Sequence, residues 1–489
     1  MIVRTSQDEL QQYLSDQANL TGACEKVFFP ENTQEVIDIV RKANEIKVQL
    51  SVSGNHTSLT GASLPISGWV LATDHLSGIL EINIQEGYAI VQPGVTLAEL
   101  QNALRQHNLF FPPDPTEDSC FIGGMLGTNA SGARSFKYGS TRDSVLEIEI
   151  VLPTGDVVSI DRTKRIQENY FELKVHNNTY AFEILEGYQL PDVKNAAGYY
   201  LKAGMSIIDL FIGAEGTLGI LTKAKLRVLP LPKNYISIVL FFNDIDRGLD
   251  FLKAVREISV INNELKNGKI GARAIEFFDE ESLKLLRIKY STIPNDAVAA
   301  FWIEQDCINE QQYNALLEEW HIFLEESDVN FEYTWFSADE SDRSKIIAMR
   351  HDLPIAVNNL IKLRGVKKLG TDIAVPNHLF RDFYSSSIVK VKELGLEYVA
   401  FGHFGDSHLH LNILSKNLEE LGCGKQFCDY LCDLAIKLGG TFSAEHGVGK
   451  LKRGYLKLML GNSNLEFMRQ VKQLFDPGNI LGRGNLFED

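Results

Sequence analysis

Two stretches, Gly402-His403-Phe404-Gly405-Asp406-Ser407-His408-Leu409-His410-Leu411-Asn412 and Ser443-Ala444-Glu445-His446-Gly447, place four histidines and a glutamate between positions 403 and 446. Neutral imidazoles beside an ionised carboxylate, with a coordination position left open, are the donor set of a catalytic metal site rather than a closed structural one. Taken alone, the first stretch also reads as a polar hairpin face that hydrogen-bonds water; the Glu-His pair in a Gly-rich loop weighs against that. Residues 398–403 and 408–414 read as strands around a short turn containing Gly405 and Asp406. Alternation puts His408, His410 and Asn412 on one face and Leu409, Leu411 and Ile413 on the other. Cross-strand neighbours stand ~5 Å apart and diagonal ones ~7–8 Å. His403, at the end of the first strand, can therefore converge with imidazoles of the second on one small object.

The elements that must carry these residues are legible around them. Asn32 and Glu35 have capping-box spacing ahead of Val36, Ile37, Val40 and Ala43, and Thr96 and Glu99 repeat it ahead of Leu97, Leu100 and Leu104. Short strands are predicted at 49–53, 69–73 and 88–92, and a hairpin at 146–152 and 157–160 around Pro153-Thr154-Gly155-Asp156. After the break at Leu229-Pro230-Leu231-Pro232 come a strand at 236–242, a helix near 245–257, a strand at 298–304, a helix near 309–326 and a strand at 331–336. That order predicts a second sheet with helices on one face. Residues 343–363 read as helix, 368–375 begin the strands leading to the histidine hairpin, and the C-terminal part is mostly helical. The class is α+β.

Three Gly-rich segments in the first half have a different chemistry: Ser53-Gly54-Asn55-His56-Thr57-Ser58 with Gly61; Pro112-Pro113-Asp114-Pro115 followed by Ile122-Gly123-Gly124-Met125-Leu126-Gly127-Thr128-Asn129-Ala130-Ser131-Gly132-Ala133-Arg134; and Gly213-Ala214-Glu215-Gly216-Thr217-Leu218-Gly219-Ile220. Glycine lets backbone N–H groups approach a pyrophosphate, and Ser/Thr hydroxyls add neutral donors. Each segment alone is an ordinary turn; the three together suggest a diphosphate cradle. No G-x-G-x-x-G follows a first strand and no G-x-x-x-x-G-K-[ST] occurs, which argues against a classical Rossmann or P-loop site.

At 489 residues the chain exceeds one core, and ~150 residues per domain gives two or three. A net charge of −16 with no long basic run argues against a nucleic-acid partner. An anionic substrate would need a local cation, from Arg, Lys or a metal. Six cysteines make no disulfide framework, and Cys423, Cys428 and Cys432 match neither zinc-finger nor ferredoxin spacing. They read as buried positions of a helix in a reducing compartment. The N-terminal sequence carries no secretion or import signal, and no apolar run reaches ~18 residues.

At these motifs the sequence resembles the vanillyl-alcohol-oxidase-type flavoproteins, and most closely the FAD-linked D-2-hydroxyacid dehydrogenases acting on D-lactate, D-2-hydroxyglutarate or glycolate. The resemblance runs from about residue 25 to Asn485 through seven ordered motifs, including Tyr138-Gly139-Ser140-Thr141-Arg142-Asp143 and Phe475-Asp476-Pro477-Gly478-Asn479. It implies a PCMH-type FAD-binding domain over 1–230, an α+β substrate (cap) domain over 231–440 and a segment over 441–489 returning to the flavin. It implies FAD contacts at Ser53, Gly54, Asn55, His56, Thr57, Ser58, Pro113, Gly123, Gly124, Gly127, Thr128, Ser131, Gly132 and Arg134. Further contacts are implied at Tyr138, Gly139, Glu215, Gly216, Gly219, Ile220 and Asn485. Its divalent metal, zinc first with manganese or iron as alternatives, maps to His403, His410 and Glu445, and the base to His446. Arg350 matches the arginine that holds a substrate carboxylate, Asn412 a substrate contact, and Lys368 is a candidate second anion contact. Two departures stand out. Ser407-His408 replaces the usual Gly-Asn, adding an imidazole on the metal-facing side. His56 lies in the first loop, displaced from the usual covalent flavin attachment site, and reads as a loop histidine.

The implied reaction is oxidation of a small anionic 2-hydroxy acid to the 2-oxo acid: metal-lowered hydroxyl pKa, proton removal by His446 and hydride transfer to flavin N5. With no iron–sulfur motif in the sequence, electrons leave the flavin directly to a quinone, a cytochrome or an electron-transfer flavoprotein. A cytoplasmic location, peripheral contact with the inner membrane face and a homodimer are compatible with this. Competing readings are an oxidase, an alkylglycerone-phosphate-synthase-like enzyme of the same fold, and a non-catalytic flavin- or metal-binding regulator.

Overall fold

The computed structural model describes residues 1–18, 20–327 and 329–488. Two larger sheets organise the N-terminal half. The first orders Ile2–Arg4, Lys26–Phe29, Trp69–Ala72 and Leu50–Ser53, and the last three run parallel. The second is an antiparallel five-strand sheet: Ile79–Asn83, Tyr88–Val91, Ile220–Arg227, Val145–Val151 and Val157–Asp161. Helix Thr33–Glu45 sits between them. Its Val36, Val40 and Ala43 meet Leu50, Trp69 and Leu71 of one sheet and Val151 and Ile220 of the other. Asn32 caps it by accepting from Glu35 N–H at 3.0 Å, but Glu35 returns its bond to Glu31 N–H rather than to Asn32. The box at Thr96 and Glu99 is reciprocal, at 3.1 and 2.9 Å, and opens helix Leu97–Arg105.

The second half is organised by an eight-strand sheet. Its main order is Thr334–Phe336, Asn234–Phe242, Ala299–Cys307, Ala274–Asp279, Tyr398–Gly402, His408–Ile413 and Leu369–Gly370, with Ile373–Ala374 also pairing with His408–Ile413. The expected placement of helices on one face is wrong. Ile236, Ile238, Leu240 and Phe242 pack into one core with helices Ile245–Leu265, Glu310–Glu326 and Phe380–Glu393, through Leu252, Trp320 and Phe383. Val239 and Phe241 enter another core with helices Glu280–Arg287 and Glu340–Arg364, through Leu283, Met349 and Leu353. A strand apolar in both registers must be covered on both sides. Strand Ala274–Asp279, buried throughout, was not predicted; it lies between Ala299–Cys307 and the first strand of the histidine hairpin.

Lys137 and Tyr138 join the halves, donating to Asp306 at 2.8 and 2.6 Å. The cysteines form no disulfide among the described residues; Cys423, Cys428 and Cys432 lie on helix Leu418–Lys437 as expected, but only Cys432 is buried and the other two are half-buried. No helix among the described residues is long and apolar enough to cross a membrane.

Candidate active site

The three glycine-rich segments meet at a groove between the two N-terminal sheets, enclosing about 330 Å³. Gly54, Asn55, His56, Thr57 and Ser58 line it from the first segment, Gly123, Gly124, Gly127, Thr128 and Ser131 from the second, and Glu215, Gly216, Gly219 and Ile220 from the third. A Cβ at Gly124 or Gly127 would meet nothing within 4 Å, so those glycines leave open space for a ligand rather than room for packed backbone. Ile148, Ile150, Phe211 and Leu218 supply apolar wall. A flat ring with an uncharged cradle for its phosphates fits these surroundings. Glu215 also braces the far wall. Its carboxylate accepts from Val448 N–H and Gly449 N–H at 2.6 and 2.7 Å. Burial lifts its pKa to about 7 although both bonds favour the charged form.

Seven of the residues matched to flavin contacts do not line this groove. Ser53 is buried at the end of its strand, where its carbonyl accepts from Thr73. Pro113 and Gly132 are packing positions of the second segment, and a Cβ on Gly132 would lie 1.9 Å from Asp114 O. Arg134 turns to a second cavity and pairs with Asp114 at 3.0 Å. Tyr138 is held at the inter-domain contact by Asp306, and Gly139 (φ +77°) forms a turn with Asp143 against it. Asn485 braces the groove from behind, donating to Ala62 O at 2.8 Å and Glu215 O at 3.1 Å.

At one end of the groove stand Glu445 and His446. The hairpin behind them forms as predicted, except that the first strand ends at Gly402 and His403 begins a single 3-10 turn, Phe404–Asp406. Glycine is required at 402, since a Cβ there would lie 2.5 Å from His408 O. Ser407 takes the left-handed conformation that glycine favours (φ +52°) and is anchored by Oγ donating to Asn377 Oδ1 at 2.6 Å. Phe404 fixes the turn from below, stacked on Phe277 with ring centroids 4.0 Å apart. Truncating so buried a phenylalanine costs about 3–5 kcal/mol.

Three imidazoles are each held at one nitrogen by an oxygen, and their other nitrogens all approach Glu445. His403 Nδ1 donates to Glu276 Oε1 at 2.5 Å, and its Nε2 lies 3.4 Å from Glu445 Oε1. His410 Nδ1 donates to Thr371 O at 3.2 Å, and its Nε2 is likewise 3.4 Å from Glu445 Oε1. His408 Nε2 donates to Asp372 Oδ1 at 3.0 Å, with its Nδ1 3.9 Å from Glu445 Oε2. Two donors ~2.0–2.1 Å from a tetrahedral zinc stand ~3.3–3.4 Å apart, so the spacing of His403, His410 and Glu445 fits a small divalent cation. The fixed tautomers fit as well, because oxygen partners on the outer nitrogens leave lone pairs facing inward.

The electrostatics favour the neutral ring at His408 and His410 and the charged ring at His403. Burial, then the neighbouring His410 ring, pushes His408 well below the usual imidazole range, and burial also lowers His410. For His403 burial is outweighed by Glu276, and its pKa rises. Burial of Glu445 is outweighed by Lys194 and His403, which hold it well below the carboxylate range. Lys194, buried with Nζ 3.0 Å from Glu445 Oε2 and 3.2 Å from Gly132 O, was not anticipated; it lies in a loop with no periodic signal.

His446 is bound on its far side. Its Nδ1 lies 3.1 Å from Asp372 Oδ2, and its Nε2 lies 3.8 Å from Glu445 Oε1 on the groove wall. Asp372 is the second residue that sequence reading missed. It bridges His408 and His446 and also accepts from Lys452 Nζ and Ser443 Oγ, each at 3.0 Å. Burial notwithstanding, His446 and Lys452 keep it well below the usual carboxylate range.

Glu276 is the third. It receives His403 on Oε1 and Arg350 Nε on Oε2 at 3.0 Å, and although burial opposes ionisation these partners bring its pKa down to about 2. Arg350 and His403 thus share a carboxylate and both line a second cavity of about 670 Å³, which meets the first at Pro115 and Thr116. Asn412 and Lys368 line neither cavity. Asn412 lies one strand repeat past His410, buried with its Oδ1 against Gly370, and Lys368 is exposed before strand Leu369–Gly370.

Residues 24–161 match the family described as FAD binding domain, and 231–486 match FAD linked oxidases, C-terminal domain. The chain belongs to the FAD-linked oxidases, flavin-dependent oxidoreductases with this PCMH-type fold. It is 30% identical over 471 residues to glycolate oxidase subunit GlcD of Bacillus subtilis, covering 94% of this chain and 88% of that one. It is 29% identical to D-2-hydroxyglutarate dehydrogenase of Stutzerimonas stutzeri, over 99% of this chain and 96% of that one. The solved structure of p-cresol methylhydroxylase with substrate bound superposes with a TM-score of 0.70 at 14% identity, over 99% of this chain and 93% of that one, a likeness of fold.

Proposed function

We propose that the protein oxidises a small anionic D-2-hydroxy acid to the 2-oxo acid, with a divalent cation held by His403, His410 and Glu445 beside the flavin. The observation that carries this reading is the meeting of the two sites: Glu445 belongs both to the groove wall and to the histidine cluster, and His446, also on the wall, groups with Glu445 and Asp372. FAD supplies the two-electron acceptor for hydride leaving C2, and a cation in this donor set supplies Lewis-acid charge that favours the alkoxide form of the substrate hydroxyl.

The side chains do the rest. With Nδ1–H committed to Asp372, His446 keeps Nε2 as a free base facing the groove, where it accepts the hydroxyl proton; the imidazolium is stabilised by the ionised Asp372 behind it. Glu276 holds His403 and Arg350 in fixed relation, so the donor to the cation and the guanidinium that pairs with a substrate carboxylate are set on one support. Lys194 offsets charge on the outer oxygen of Glu445, leaving Oε1 toward His403 and His410. The related glycolate and D-2-hydroxyglutarate enzymes bear names of the same substrate class, which favours this reading over a regulator.

The direct test is anaerobic mixing of the metal-loaded, FAD-bound protein with D- and L-2-hydroxy acids. At least one D-acid should bleach the flavin absorbance and leave one equivalent of 2-oxo acid, its L-enantiomer leaving the spectrum unchanged. A spectrum unmoved by every 2-hydroxy acid overturns the proposal.

A further inference from the structure

Resting on the cation site of the preceding reading, we propose that His408 is a fourth protein ligand, so that this chain builds a three-imidazole, one-carboxylate site for a cation that accepts six donors. His408 is fully buried, and its Nδ1 has no hydrogen-bond partner among the described residues. Leaving a buried polar atom unpaired is unfavourable, yet its other nitrogen is tied at 3.0 Å to the buried Asp372. That partner fixes both ring orientation and tautomer. With Nε2–H donating to Asp372, Nδ1 carries the lone pair and lies 3.9 Å from Glu445 Oε2, on the same carboxylate whose Oε1 the inward nitrogens of His403 and His410 approach at 3.4 Å.

One ligand atom from each of His403, His408, His410 and Glu445 lies within 4.8 Å of all the others. The rings crowd accordingly: His408 to His410 centroids are 4.3 Å apart and His408 to His403 5.2 Å. A histidine serving only as a hydrogen-bond donor to Asp372 would have no need to bury a bare nitrogen among two other imidazoles and a carboxylate. Asp372 then supports the cation through His408 and the base through His446 with its two oxygens, coupling the two parts of the site.

The donor count has a consequence for the metal. Four protein donors fill the coordination shell zinc prefers. A substrate bound through a hydroxyl and a carboxylate oxygen adds two more. The site therefore suits ferrous, manganous or cobaltous ion, which take six donors, and its three nitrogens disfavour magnesium and calcium.

The test uses the FAD-bound protein stripped by a chelator and reloaded with cobalt(II), read by X-ray absorption at the metal edge and by competition with a chromophoric chelator. The wild type should show three imidazoles on cobalt, and His408→Asn two, with cobalt affinity weakened at least about tenfold. The wild-type count alone decides the matter if the variant does not fold; retained FAD absorbance shows when it does. Two imidazoles in loaded wild type, or an unchanged count in His408→Asn, overturns the role of His408 and leaves the cation site standing. Cobalt binding no tighter than in a His403→Ala/His410→Ala variant removes the cation site itself.

Discussion

Replacing His446 with Asn is expected to slow flavin reduction by a 2-hydroxy acid by about 10²- to 10⁴-fold, the range a positioned general base contributes. FAD should remain bound, because the groove is built mainly from the three glycine-rich segments and His446 stands at its end. Asn keeps a donor near Asp372 but offers no basic nitrogen to the groove. Stopped-flow measurement of the flavin absorbance gives the rate directly, and the spectrum before mixing shows whether the cofactor is present. A rate within threefold or so of wild type would remove His446 from the chemistry.

Asp372→Asn has an expected effect of similar size without touching substrate or flavin. The two carboxylate oxygens receive N–H from His408 Nε2 and His446 Nδ1, at 3.0 and 3.1 Å. An amide has one acceptor oxygen and one donor nitrogen, so one of the two rings must turn to the opposite tautomer. If it is His446, the groove-facing nitrogen becomes a donor and cannot take a proton. Wrong-tautomer substitutions behind a histidine base lower rates by up to about 10⁴-fold. As a positioning residue, Asp372 should show its loss in the rate constant for flavin reduction, with substrate affinity changing less than about tenfold. A variant that weakens affinity and leaves the limiting rate intact would assign Asp372 to binding or to folding alone.

The histidine hairpin was legible because strand alternation has a period of two and the connecting turn is short; register then decides which rings meet. The flavin-groove segments were legible because glycine and small polar residues have few other uses between strands. What stayed hidden were the carboxylates and the ammonium behind the ligands. Glu276 lies 127 residues from His403, on a six-residue strand with two acidic side chains and no polar alternation, a pattern that resembles a surface segment although every residue is buried. Asp372 sits between two two-residue strands, too short to carry a period. Lys194 lies in a loop and finds Glu445 only through the tertiary fold. Tyr138, Gly139 and Arg134, matched to flavin contacts by motif, do not line the groove, and Lys368, a candidate anion contact, is exposed. Tyr138 donates to Asp306, the Gly139 backbone turns close against Asp143, and Arg134 pairs with Asp114.

The most direct test of the account compares anaerobic flavin bleaching by a D-2-hydroxy acid in chelator-stripped protein with the same sample after a divalent metal is restored. Bleaching should be at least about 100-fold slower without the metal, the scale of several kcal/mol of Lewis-acid stabilisation, and should recover fully on its return. Equal rates in the two samples, with FAD bound in both, would contradict it.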